Sequence, residues 1–281
     1  MRYLDAMLSL DRLRAAVTSA ALAVWLLQPA SAQSEAKRAR AARLEAAVEE
    51  MAAIVEKHAQ LKFRERPKVR AATHKEWRAL VQEEMELETG REVFEASVST
   101  LGLYLPEQRE VVLSPLVVAP LIKELPEDAP RHTREAVMHQ KATVAHELVH
   151  ALQEQHFGLP SKLRAAEEVE DILRYKWLIE GHAVLVEERI AEGALGLEDF
   201  MLKGPYGGLA VGVDPSYVQG RKYFLHLLRT GGMKAVRASL EQPPTFAQMK
   251  ELTKKPLPPA PAAPEQAPPK PTKPKKQEQN P

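Results

Sequence analysis

The spacing of hydrophobic positions predicts a mostly helical protein. Between residues 34 and 62, side chains suited to packing recur three or four residues apart, the period of an amphipathic helix; they are Leu44, Val48, Met51, Val55 and His58. We assign residues 33–62 to this N-terminal amphipathic helix and expect one face of it to pack on the rest of the protein. A pro-segment is the other interpretation of the same pattern.

A small β element is predicted around a second helix. Residues 68–73 suggest a short strand, and residues 74–88 a helix whose start carries Thr73 and Glu76 at the spacing of a capping box. Two apolar runs around Pro106 predict an antiparallel hairpin over 101–114. Four prolines within 115–132 indicate an irregular connection.

Longer helices follow over 133–157, 165–192, 216–229 and 232–241. Gly158 and Gly193 stand where the first two should stop, since glycine readily adopts the left-handed conformation that ends a helix. The predicted fold class is therefore α+β, mostly α, with a small antiparallel β element. We place the folded domain at residues 63–250.

Both ends of the chain have compositions unlike the body. Arg12 and Arg14 precede a short apolar run and an Ala-Ser-Ala sequence at 30–32, which predicts a signal peptide over 1–32 and a periplasmic or secreted protein. An uncleaved anchor is the alternative, although the run is short for a membrane span. Residues 251–281 are rich in proline and lysine and predict a disordered tail, either a solvated spacer or a contact with cell-envelope polymers.

The charge and cysteine content narrow the possible partners. The formal net charge is +1, and the basic excess is concentrated in the two ends, so that the body is mildly acidic. Nucleic acid is therefore not an expected partner, because phosphate binding needs a concentrated basic surface. The chain has no cysteine, so an exported protein of this sequence must be stabilised by packing or a bound metal rather than by disulfides.

A metal-binding pattern lies in the helix predicted over 133–157. His146, Glu147 and His150 form the sequence HExxH, in which the two histidines are four residues apart and share a helix face. Both imidazoles can then reach one ion, and Glu147 can take a proton from a water that the metal has made more acidic. Two structural histidines with separate partners are the alternative, but the apolar flanks make buried polar groups costly without a reason.

Two residues compete to be the third protein ligand. His156 would complete a three-histidine pattern, but with Gln153 the helix is expected to continue, placing His156 about 15 Å from His146 along the axis. It would also point about 80° away. Glu180 interrupts an apolar stripe in the next long helix, and a carboxylate there must be paired or bind a cation. We favour Glu180, with a salt bridge at the helix edge as its other interpretation.

On these residues the chain resembles the gluzincins, zinc peptidases with HExxH on one helix and a glutamate on a later one. It is more specifically similar to exported bacterial proteins with AHELxHALQDQHF and EGDA-like motifs. The matching positions are Ala145 to Phe157, Glu180, Gly181, Ala183, Tyr217, Gly220, Phe224, Gly231, Gly232, Pro243 and Pro244. The resemblance implies a zincin-like fold, Zn²⁺ held by His146, His150 and Glu180, and Glu147 as general base.

The chain departs from the resembled pattern at several positions. Gly158 and His182 stand where those proteins have acids, and Val184 stands where the thermolysin type has an aspartate that orients a ligand imidazole. Asp171 and Glu187 are both candidates to replace that aspartate.

The other parts of a peptidase also have candidates. The hairpin over 101–113 is the expected strand along which a peptide substrate would pair. Tyr217 is our candidate donor to the developing negative charge, with Tyr223 and His226 as rivals. His139 lies two turns before His146 and is expected at most at the rim of the cleft.

The sequence thus predicts an exported zinc metalloendopeptidase that hydrolyses peptide or protein substrates. One alternative is a catalytically weak or inactive zincin-fold protein that serves as a binding or scaffold module of the cell envelope. Another is a zinc hydrolase or transferase that acts on something other than a peptide bond.

Overall fold

The computed structural model describes residues 30–89, 101–197 and 215–259. Its elements, in chain order, are α1 (Ala30–Ala59), β1 (Lys68–Ala71), α2 (His74–Thr89), β2 (Gly102–Leu105), β3 (Glu110–Leu113), α3 (Pro115–Leu121), α4 (Arg131–Phe157), α5 (Leu159–Arg164), α6 (Val169–Gly193), α7 (Pro215–Glu241) and α8 (Phe246–Lys254). The described part is mostly helical with a small sheet, which confirms the α+β, mostly α class.

The sheet is mixed, so the prediction of a purely antiparallel β element is wrong. Its three strands have the order β1-β3-β2, with β2 antiparallel to β3 as the hairpin predicted and β1 parallel to β3. A parallel pair needs a long crossover, and here the chain passes through α2 and β2 before β3 returns beside β1. β2 is consequently an edge strand.

Helices α4 and α6 form the centre of the molecule. Leu148 and Leu152 of α4 and Leu178 and Leu185 of α6 have almost no exposed surface, because they lie within one large hydrophobic cluster. The capping box of α2 and the left-handed C-cap of α4 at Gly158 (φ 61°) are both as predicted.

Helix α1 belongs to the same core. Met51, Ala52 and Val55 are completely buried among side chains of the central helices, and Leu44 and Val48 extend this apolar face. The predicted packing face of residues 33–62 is therefore confirmed. Since α1 covers core side chains, its removal would expose them to water.

Two local predictions differ from the structure, and a third agrees with it. The segment 115–132 is not wholly irregular: Pro115 begins helix α3, and Ser114 caps it by accepting a hydrogen bond from the backbone N–H of Val117. Helix α8 was not predicted, and it crosses the expected start of the tail at residue 251; Thr245 and Gln248 form its capping box. The two helices predicted over 216–229 and 232–241 are present, and they meet at a break at Gly232 (φ 64°) within α7.

The predicted signal peptide, up to residue 29, and the tail from residue 260 lie outside the described residues. Within the described ranges, no helix has both the length and the apolar character required to span a membrane.

Candidate metal centre

Helices α4 and α6 bring two histidines and a glutamate to one point. Glu180 Oε2 lies 3.3 Å from His146 Nε2 and 3.8 Å from His150 Nε2. The candidate ligand atoms of the three residues all lie within 4.8 Å of one another. Two imidazole nitrogens and a carboxylate oxygen this close together could hold a metal ion with a fourth position open. The structure therefore assembles the three residues that the sequence singled out.

His146 is oriented by a buried carboxylate on α6. Its Nδ1 lies 2.9 Å from Glu187 Oε2, and the Glu187 side chain is only 2% exposed. An ionised carboxylate only accepts hydrogen bonds, so Nδ1 carries the hydrogen and Nε2 faces Glu180. Of the two replacements considered for the missing aspartate, Asp171 pairs instead with Arg174 near the surface.

His150 is oriented by Gln153, a role that sequence reasoning missed. Gln153 is completely buried, and its Oε1 lies 2.9 Å from His150 Nδ1. The sequence pattern predicts for Gln153 only the role of a helix former. Its spacing of three from His150 places both side chains on one helix face and could have indicated the contact. Its other partners lie on α6 and are not visible in the local sequence.

Burial and neighbouring charges shift the pKa values of the three converging residues. Burial opposes a charge on His146, but hydrogen bonds to Glu180 and Glu187 outweigh it and raise the pKa of His146 well above its usual range. Burial likewise opposes a charge on Glu180, yet the neighbouring His150 and His146 lower the pKa of Glu180 to about 2. Burial lowers the pKa of His150. An ionised Glu180 and a neutral His150 are the forms that bind a metal.

Glu147 lies beside this cluster, between α4 and the edge strand β2. It is buried, and it accepts a hydrogen bond from the backbone N–H of Tyr104. Burial raises the pKa of Glu147 to about 8, despite the opposing effect of His146. A Cβ added to Gly102 would lie 2.5 Å from Cγ of Glu147, so only glycine lets β2 approach this closely.

Helix α7 places Tyr217 against the cluster. Its ring stacks on that of His146 with centroids 6.1 Å apart, and its side chain hydrogen-bonds Glu180. The two rivals are engaged elsewhere. The hydroxyl of Tyr223 bonds Ser239 Oγ at 2.7 Å, and His226 donates from Nε2 to the carbonyl of Lys255. Of the three candidates, Tyr217 is the one that lines the cleft.

The approach of α7 depends on two glycines. A Cβ added to Gly181 of α6 would lie 2.2 Å from the carbonyl carbon of Gly220, and a Cβ added to Gly220 would lie 2.4 Å from the carbonyl oxygen of Trp177. The two backbones are therefore in contact, which only glycine permits at these positions. This crossing places Glu180 of α6 and Tyr217 of α7 beside the same cluster.

The structure also shows where two other candidate histidines lie, and what occupies the positions that depart from the resembled pattern. His156 does not join the cluster: its Nε2 donates to the carbonyl of Lys62 at 2.7 Å. His139 does not line the cleft. Gly158 supplies the left-handed end of α4, and His182 is completely buried beside Gln153.

A second cavity lies next to the cleft at the cluster. Gly102, Leu103 and Tyr104 of β2 line the cleft together with His146, His150 and Glu180. Leu163 and Arg164 line both this cleft and an adjoining cavity of about 420 Å³. The apolar walls of that cavity include Leu80, Leu105 and Ile172.

Comparisons of the chain with protein-family models, with curated proteins and with solved structures each give no match.

Proposed function

We propose that this chain is an exported zinc-dependent metallopeptidase with a zincin-like catalytic domain. The observation that carries the proposal is the convergence of His146, His150 and Glu180 beside a buried Glu147. The proposed export to the periplasm or outside the cell rests on the N-terminal sequence alone.

The donor set suits zinc. Two imidazole nitrogens and one carboxylate oxygen match the three-ligand pattern of catalytic zinc sites, and both imidazoles are held by hydrogen bonds on their Nδ1 atoms. Zinc at such a site polarises a carbonyl and makes water acidic enough to be deprotonated near neutral pH. The remaining steps belong to the protein.

Glu147 is the proposed general base. Its carboxylate takes the proton of the attacking water and afterwards gives it to the leaving amine. A pKa of about 8 would leave much of this carboxyl protonated at neutral pH, but a bound dication would favour the carboxylate by Coulombic attraction. The hydrogen bond from the N–H of Tyr104 fixes the carboxylate toward the cleft.

The proposed substrate is an extended peptide lying along β2. The carbonyl of Leu101 accepts from Ser114 N–H, so the backbone groups of Gly102 and Tyr104 point away from β3. The N–H of Tyr104 bonds Glu147, so a peptide would pair with the carbonyls of these two residues and with the N–H of Gly102. An edge strand of this kind can pair with an added peptide strand. The adjoining cavity would then receive a side chain of the same peptide. Half of its lining residues are hydrophobic, including Leu80, Leu105 and Ile172, and the other half are polar or charged, including Glu83, Arg164 and Lys176.

Tyr217 is the proposed donor to the carbonyl oxygen as negative charge develops on it. Its hydroxyl lies at Glu180, next to the position that a substrate carbonyl would take between the cluster and β2. Donors fixed before the reaction are worth most in such buried sites, because they need no reorganisation when the charge forms.

The proposal is tested by cleavage of casein by the purified protein and by its Glu147→Gln variant. We expect the variant to retain zinc and to lose activity by about 10²- to 10⁴-fold, the usual contribution of a general base. Glu154→Gln is the matched control, since Glu154 lies on the same helix but bonds Ser161 outside the site. Zinc binding by the wild type without cleavage of any peptide would refute the peptidase and favour a non-catalytic zincin-fold module.

A further inference from the structure

The amide of Gln153 joins α4 to α6 behind His150. Its Oε1 lies 2.9 Å from His150 Nδ1, while its Nε2 lies 2.8 Å from the carbonyl oxygen of Ile179 and 3.2 Å from His182 Nδ1. Gln153 and His182 are completely buried. Every contact of the amide is therefore made with protein rather than with water.

The carbonyl of Ile179 determines which way this amide points. A carbonyl oxygen can only accept a hydrogen bond, so the nitrogen of Gln153 must face it. The opposite orientation would place two acceptors 2.8 Å apart in a buried site, which is unfavourable. With the nitrogen so placed, Oε1 is left to face His150.

The amide orientation in turn determines the tautomer of His150. Oε1 of Gln153 can only accept, so His150 must carry its hydrogen on Nδ1. The lone pair of the neutral ring then lies on Nε2, the atom that faces Glu180 at 3.8 Å. This is the form in which an imidazole binds a metal through Nε2.

His182 completes the arrangement by accepting the second N–H of Gln153. Because its Nδ1 accepts, its hydrogen lies on Nε2, which has no hydrogen-bond partner among the described residues. The ring is packed against Phe224, with centroids 5.5 Å apart. A neutral acceptor is what an amide donor requires at this position.

We propose that Gln153 and His182 are positioning residues that hold His150 in its metal-binding tautomer. The inference rests on the proposed metal site. It assigns to His150 a chain of two uncharged partners, Gln153 and His182, whereas His146 is oriented by the carboxylate of Glu187. The two proposed ligand histidines would thus be oriented by chemically different partners. One is a carboxylate that lies on α6, and the other is an amide of α4 that contacts α6. It also gives a reason for histidine at position 182.

The test measures zinc affinity of the full-length chain by competition with a chromophoric chelator. We expect Gln153→Met and His182→Leu each to weaken zinc binding by about 10- to 100-fold, the usual effect of removing an orienting partner. His182→Asn keeps an acceptor near the position of Nδ1 and should bind zinc nearly as tightly as the wild type. Gln155→Met is the matched control, because Gln155 bonds Glu65 and the backbone of residues 64–65 outside the site.

The ¹⁵N resonances of the His150 ring give a second readout that a merely structural role would not change. We expect a protonated Nδ1 in the wild type and in His182→Asn, and a loss of that single state in His182→Leu. Thermal unfolding monitors the fold of each variant. If Gln153→Met does not fold, the comparison of His182→Leu with His182→Asn decides the question.

The possible failures are distinguishable. A wild type that binds no zinc refutes the proposed function and this inference together. A wild type that binds zinc refutes the inference alone if Gln153→Met and His182→Leu bind zinc as tightly as it does. A proton on Nε2 of His150 in the wild type also refutes the inference alone.

Discussion

Burial and charge act in opposite directions on the carboxyls around the candidate metal centre. Glu180 faces two imidazoles, which lower its pKa to about 2 although it is buried. For Glu147 burial dominates and raises the pKa to about 8. Two glutamates in one cleft thus favour different protonation states, as expected where one binds a cation and the other exchanges a proton.

With metal removed by a chelator, we expect the free energy of unfolding to fall as pH rises from about 6.5 to 8. The folded pKa of Glu147 is about 8, against 4.5 for an ordinary glutamate, so in this window the folded state holds a proton that the unfolded state releases. This stability is fully present below pH 4.5 and is lost as pH rises through 8. His146, with its pKa raised above 6.5, adds an effect of the same sign. Burial lowers the pKa of His150 and lowers that of His182 to about 3, so these two histidines act in the opposite sense below pH 6.5.

Urea unfolding at several pH values measures this dependence. Glu147→Gln should decline less steeply, because its amide does not titrate. Glu180 acts in the opposite sense only in acid, since its lowered pKa gives stability that is lost as pH falls from 4.5 toward 2. Equal slopes for the wild type and Glu147→Gln would contradict the assignment of the buried proton.

At the residue scale, the sequence predicted the cluster but not what orients it. The spacing of His146 and His150 within one helix is local information, and Glu180 is conspicuous as a charge in an apolar stripe. The role of Gln153 depends on Ile179 and His182, which lie on another helix. Whether Asp171 or Glu187 orients His146 likewise depends on how α6 is rotated relative to α4, which the local sequence does not show.

The contact between α6 and α7 is the element-scale feature on which the site depends. Gly181 and Gly220 let the two backbones touch, and Glu180 is next to the first of them. Tyr217 lies about one turn before the second on α7. A small change in helix separation would therefore move a ligand and the proposed donor together.

We expect Gly181→Ala to destabilise the protein by about 1–3 kcal/mol, the usual effect of overpacking, and to weaken zinc binding. The added Cβ would lie 2.2 Å from the carbonyl carbon of Gly220, and a backbone atom cannot rotate away. Gly193→Ala is the control at the end of the same helix, where the nearest atom would be His58 Cε1 at an ordinary 3.7 Å. Thermal unfolding compares the two, and equal stabilities would show that the close crossing is not required.

The elements themselves were largely predictable, and the differences have local causes. Periodicity predicted α4 and α6, and the turn at Pro106 predicted the hairpin. Gly158 ends α4 in the left-handed conformation as expected, whereas Gly193 is still helical at the end of α6. The parallel pairing of β1 with β3 is a long-range contact that no local pattern encodes. Helices α3 and α8 were missed because prolines near their ends suggested irregular chain, whereas Pro115 starts α3 and a Thr245 cap starts α8.

On the scale of the whole molecule, α1 is part of the core rather than an appendage. Its buried face contacts the same hydrophobic cluster that contains the inner sides of α4 and α6. A pro-segment that covered a finished domain would leave that domain's core closed when removed. Here the closure of the core depends on α1 itself, which favours the packing interpretation.

We expect Met51→Ala to lower the free energy of unfolding by about 2–5 kcal/mol, because a completely buried side chain would be replaced by a cavity. Leu116→Ala is the control, since Leu116 is 61% exposed. Urea unfolding measures both. A Met51→Ala variant as stable as Leu116→Ala would show that α1 is only loosely attached.

The central claim is that α4 and α6 meet at one metal ion, with Glu180 rather than His156 as the third ligand. Zinc content after dialysis, measured by elemental analysis of the wild type, Glu180→Ala and His156→Ala, tests it most directly. We expect zinc at about one per chain in the wild type and in His156→Ala, because three protein ligands suffice for such a site, and a marked loss in Glu180→Ala. A wild type without stoichiometric zinc, or zinc lost from His156→Ala and retained by Glu180→Ala, would contradict the account.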